Sequence, residues 1–132
     1  MYYRNLAGET VPVQNAYEVD IVPDIVTAGK RAVKGFRYGW FPASPSYPAA
    51  VFYLLGSPIT GYLSNQPHTV RFTYYFEVRA KSCQERDKTA KALCIALSDI
   101  YAARRAQYDD SFEEQTGTYI KRITFIFTVH LN

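Results

Sequence analysis

Two cysteines, two histidines and one run of acids are the side chains in this 132-residue chain whose types suit chemistry. Cys83 falls in the first turn of a helix predicted over 82–104, where the helix dipole favours a thiolate. A nucleophilic thiol also needs a base, and none stands beside it. Cys94 falls on the apolar stripe of the same helix and reads as a small buried hydrophobe. The two are separated by ~16 Å of helical rise, beyond disulfide reach. Reduced thiols in a cytosolic folding environment are therefore expected. His68 follows Pro67 in a predicted loop and His130 ends the last predicted strand, so neither belongs to a metal-ligand spacing. Asp109, Asp110, Glu113 and Glu114 form an acidic cluster in a polar connection from Gln107 to Gly117. Carboxylates grouped in this way offer oxygen ligands to Ca²⁺ or Mg²⁺, but the spacing and glycine of an EF-hand loop are missing. A solvated connection, or a subunit contact, is the expected role. No phosphate-cradling glycine loop or Gly-x-Ser-x-Gly elbow occurs. No catalytic, cofactor-binding or metal residue is assigned, and no enzyme activity is expected.

The elements that must position these residues are clearest from Thr69 to Ile100. Val70, Phe72, Tyr74, Phe76 and Val78 alternate with Arg71, Thr73, Tyr75, Glu77 and Arg79, the period of a strand with one buried face. After Ser82 the spacing becomes helical, with Ala90, Leu93, Cys94, Leu97, Ile100 and Tyr101 on one stripe. Ser82 and Glu85 have the Ser-x-x-Glu spacing of a capping box. A second helix is expected over 20–34, with Pro23 in its first turn and Gly35 as its stop. Short strands are expected over 36–41 and 49–55, divided by the proline-rich segment 42–48. Residues 59–68 suit a polar hairpin loop or a short strand pair. Ile123, Phe125, Phe127, Val129 and Leu131 alternate along a closing strand over 118–131. The predicted fold is α+β: a mostly antiparallel sheet of about four strands, two helices packed on one face, and an extended N-terminal arm. Residues 1–20 are read as the arm and 21–132 as a single domain.

Composition bounds the function. The chain is 48% hydrophobic and carries 12 Tyr and 8 Phe, a profile suited to half-buried sheet faces and protein interfaces. Net charge is +3, short of the concentrated basic footprint of a dedicated nucleic-acid binder. No apolar run approaches the length of a membrane span, and the N-terminus lacks the apolar core of a signal peptide.

Four pieces of the chain, about four-fifths of it, resemble the tail-terminator (tail-completion) proteins of long-tailed bacteriophages. They are the helix ending near Gly35, the aromatic and proline segment Phe41–Tyr47 leading into strand Ala49–Leu55, the strand-to-helix unit Val70–Leu93, and the closing strand Tyr119–Leu131. The resemblance implies a structural virion protein without cofactor or turnover. Its expected role is a ring, usually of six subunits, that caps the tail tube, stops its polymerisation and joins the tail to the neck or head. The implied partners are further copies of the chain, the tail tube protein and a neck or head-completion protein. DNA passes through the lumen without specific binding, and assembly takes place in the host cytoplasm. A head-to-tail ring needs two different complementary patches on each subunit. Candidates are Tyr2 and Tyr3 in the arm, Tyr62 and Leu63 in the hairpin, and Asp109, Asp110 and Phe112 in the acidic connection.

A neck or head-completion adaptor of similar fold is a close variant of this reading. A second class is a nucleic-acid-binding α+β module that stacks bases on an open sheet face carrying Arg71 and Tyr75. A third is a small enzyme using Cys83 or the acidic cluster.

Overall fold

Strand β6 (Gln66–Ala80) forms the axis of the sheet, and the alternation from Val70 to Val78 decides which face holds the apolar core. In the computed structural model, which describes all residues 1–132, β6 pairs antiparallel with β8 (Thr118–His130) on one side. On its other side it pairs with β4 (Ala49–Leu54) along one half and β5 (Ile59–Leu63) along the other. The register places Phe52, Phe76 and Ile123 in one row and Tyr74 and Phe125 in the next, all on one face. The rings of Phe36, Phe52 and Phe76 stack on that face, with centroids 5.0 Å and 5.3 Å apart along the series. Each such aromatic pair contributes about 0.5–1.5 kcal/mol beyond its burial.

Both helices cover this face. Helix α1 (Val22–Lys30) packs Ile25 and Ala28 into the core, and α2 (Cys83–Ser98) packs Ala90, Leu93 and Leu97. Ser82 caps α2 by accepting from the Glu85 N–H at 3.2 Å, which is one half of the expected capping box. Both helices end earlier than their spacing predicts. α2 ends at Ser98; Tyr101 and Ala102 beyond it take left-handed backbone conformations that turn the chain towards the sheet, and the Tyr101 carbonyl accepts from Thr128 N–H of β8. Gly29 of α1 faces the Phe36 ring. A Cβ at this position would lie 2.2 Å from the Phe36 ring, so glycine is what lets α1 approach the sheet. Gly35 opens β3 (Gly35–Tyr38) and stops no helix.

The structure corrects the expected sheet of about four strands. The main sheet has six strands and is mixed, in the order β3-β4-β6-β8-β7, where β7 is Arg104–Glu113, with β5 beside β6. Strand β3 runs parallel to β4 because segment 39–48 crosses the sheet's other, open face before returning. The acidic connection is strand β7 (Arg104–Glu113), paired along its length with β8. Its alternation is between two polar faces, so hydrophobic periodicity does not reveal it. The arm is corrected too. It folds as a separate two-stranded hairpin, β1 (Tyr2–Arg4) with β2 (Thr10–Pro12), and Tyr3, Val13, Ala16 and Val19 join the core. No helix is long and apolar enough to cross a membrane.

Candidate assembly surfaces

The open face of the sheet carries a buried ion network. Glu77 accepts from Arg79 Nε at 2.7 Å and from the Tyr75 hydroxyl at 2.7 Å. The far end of Arg79 forks onto Glu113 of β7, at 3.2 and 3.4 Å. Arg122 approaches Glu77 at 3.6 Å and Asp109 at 3.7 Å. Trp40 and Phe41, from the crossing segment, lie over the Arg79 guanidinium with ring centroids at 5.8 and 5.0 Å. Burial pushes the Tyr75 hydroxyl up, and its bond to Glu77 adds to the shift. Burial works against a charged Arg79, but its bonds to Glu77 and Glu113 outweigh that and raise its pKa. Thr116 and Arg79 hold the Glu113 carboxyl below the usual range. No buried side-chain polar atom is left unpartnered. The network pins the crossing segment and β7 to the sheet.

A second network joins α2 to β7 on the helix face. Lys121 lies 2.9 Å from Asp87 and 3.4 Å from Asp110, and it donates to the Tyr108 hydroxyl at 2.9 Å. Arg86 reaches Asp87 at 2.9 Å and Asp110 at 3.4 Å. The four acids of the sequence cluster are thus dispersed. Asp109 and Glu113 face one way along β7, Asp110 faces the other, and Glu114 lies in the turn before β8. Phe112, half exposed, rests its ring 4.8 Å from Tyr119.

The remaining candidates divide by position. Tyr62 and Leu63 are 67% and 62% exposed on β5, beside an Ile59 that is 57% exposed. The hairpin turns through Ser64 and Asn65, both at positive φ. Tyr2 is half-buried at the same end, where its backbone exchanges hydrogen bonds with Asn132 in both directions at 2.9 Å. Met1, Leu63, His68 and Leu131 help line a depression of about 440 Å³ there. Tyr3, by contrast, is 4% exposed in the core, with its hydroxyl donating to the Asp20 carbonyl at 3.1 Å. The two histidines meet, with ring centroids 6.1 Å apart, although they are distant in sequence. Cys83 is exposed and Cys94 partly buried, and both are free thiols. Burial raises the Cys94 pKa. Sequence reasoning missed Ile59 and Trp40 as exposed apolar side chains. The signal was available for both: no Asp, Glu, Lys or Arg occurs between Arg37 and Arg71.

These features define an α+β domain in which ion pairs join β6, β7, β8 and α2 and in which Tyr62, Leu63 and Ile59 stand exposed on β5. A chain in the structure of the virion of a native gene transfer agent (GTA) particle has a similar fold. It aligns at a TM-score of 0.55 and 14% identity, over 83% of this chain and 92% of that one. At this identity the likeness is one of fold. No protein-family model and no curated protein matches the chain.

Proposed function

We propose that this chain is a structural virion protein of a phage-like particle, acting as a tail terminator. Subunits close into a ring, a hexamer in this reading, that caps the tail tube, stops its growth and joins it to the neck. The observation that carries the reading is the fold likeness to a chain of the gene transfer agent virion, over 83% of this chain and 92% of that one. The placement of the exposed patches supports it. Tyr2, Tyr62 and Leu63 sit at one end of the β6–β8 ladder, and Phe112 with Asp109 and Asp110 towards the other. β6 alone is about 45 Å long at ~3.3 Å per residue. Unlike patches at opposite ends of a subunit are what a head-to-tail ring requires.

Native mass spectrometry over a concentration series, with negative-stain images of the heaviest species, tests the ring. The expected result is a closed six-subunit particle with a central hole, alone or after addition of purified tail tubes. A chain that stays monomeric under both conditions overturns the reading. A ring that binds the neck but not the tube reassigns it as a neck adaptor.

A further inference from the structure

We propose that Arg71 and Arg104 form a phosphate-binding site on the open face of the sheet, and that it takes backbone phosphates of DNA. The three long strands β6, β7 and β8 carry Arg71, Arg79, Arg104, Arg105, Lys121 and Arg122. Arg79, Lys121 and Arg122 are held by carboxylates. Arg105 lies with its guanidinium 4.5 Å from the Tyr108 ring centroid. Arg71 and Arg104 take part in none of the ion pairs.

These two uncommitted cations line the same pocket. It holds about 150 Å³ and is completed by Ala102, Ile126 and Thr128, with no carboxylate in its wall. The register explains the convergence. Arg71 is opposite Thr128 and Arg104 is opposite Ile126, so the two arginines straddle β8 on one face. Two inter-strand spacings and a two-residue offset put their Cα atoms roughly 12 Å apart. Side chains of arginine length bridge that gap from both sides over the Thr128 hydroxyl. The acids of this face, Glu77, Asp109 and Glu113, lie further along the ladder and are already engaged by Arg79 and Arg122.

Two like charges sharing one pocket repel each other, and an anion between them turns that repulsion into attraction. Guanidinium forks match the oxygens of a phosphate, and a threonine hydroxyl adds a neutral donor. The pocket opens onto a face whose neighbouring side chains are Thr73 and the Tyr53–Tyr75 pair, with rings 4.9 Å apart. These neighbouring side chains carry no negative charge, and Asp109 lies beyond them beside Arg122, at 3.7 Å. The site stands on the sheet alone and is independent of ring closure.

Fluorescence anisotropy of the full chain with a labelled duplex of about 30 bp, at about 50 and 200 mM salt, tests the proposal. Wild type is expected to bind, and more weakly at the higher salt. The double variant Arg71→Ala/Arg104→Ala should lose about tenfold or more in affinity at low salt, with a salt slope shallower by about two. Arg71→Lys/Arg104→Lys should retain part of the binding, because it keeps the charge. Both sites are exposed, and circular dichroism checks that the variants stay folded. Calorimetric titration with pyrophosphate separates the two sources of phosphate. Binding of pyrophosphate that needs both arginines, without duplex binding, assigns the site to a free phosphate compound. Equal duplex binding by wild type and the double alanine variant, or binding of neither probe by wild type, overturns the site.

Discussion

Arg79 and Glu77 lie two residues apart on one strand and on one face, and their side chains meet at 2.7 Å beneath the aromatic rings of Trp40 and Phe41. Arg79 then reaches Glu113, 34 residues away. One guanidinium thus joins the central strand to the edge strand while an aromatic segment screens it from water. Removing one partner strands the other charge. Glu77→Ala or Arg79→Ala is expected to destabilise the fold by about 3–5 kcal/mol in urea unfolding. A matched apolar pair, Glu77→Leu with Arg79→Met, should cost much less than the sum of the two single changes. A double variant whose cost equals the sum of the two single changes would show that the pairing adds nothing.

Gly29 faces the Phe36 ring so closely that even a methyl group has no room. Gly29→Ala is expected to lower stability by about 1–3 kcal/mol despite the better helix propensity of alanine. Thermal unfolding decides the sign. A gain in stability would mean that α1 can shift outward at little cost.

Asp24 accepts from both the Tyr101 hydroxyl and the Leu6 N–H, tying α1 to the end of α2 and to the arm. Burial and this carboxylate raise the Tyr101 pKa. Asp24→Ala should cost about 1–3 kcal/mol and should speed amide exchange in residues 2–12 more than in β6. Uniform exchange across the chain would show that the arm is held by other contacts.

Stability should fall on acidification. Asp87 is held below its ordinary value of 3.8 by bonds from Arg86 and Lys121, and Glu113 below 4.5 by bonds from Thr116 and Arg79. A carboxyl with a depressed folded-state pKa binds fewer protons folded than unfolded. Its contribution is therefore complete above the unfolded value and is lost as pH falls through the folded one. Unfolding midpoints measured from pH 6 downward should begin to drop near pH 4.5, the ordinary value for Glu113. Asp87→Asn and Glu113→Gln should each flatten that drop. An unchanged profile in both variants removes these two groups as its source.

Tyr62 and Leu63 protrude from β5 and support no core contact. Tyr62→Ser/Leu63→Ser should leave the unfolding temperature of the subunit within the small range of surface changes and abolish the ring in native mass spectrometry. Intact rings from this variant would move the subunit contact elsewhere.

The backbone of the fold is legible in the residues themselves. The two-residue period of Val70–Val78 and Ile123–Leu131, and the helical stripe through Ala90, Leu93 and Leu97, report burial directly, because one face of each element is apolar. The same logic is blind to β7. Its acids become one face or the other only when Arg86, Lys121, Arg79 and Arg122 arrive from elsewhere in the chain. Tyr3 looks like a surface aromatic until its contact with Asp20 puts it inside. His68 meets His130, and Arg71 shares a pocket with Arg104, only because β5 through β8 align in one register. Local periodicity encodes which side of an element avoids water, since that depends on neighbours along the chain. Which charges pair and which remain free depends on strand order and register, and these are set by the packing of the whole sheet.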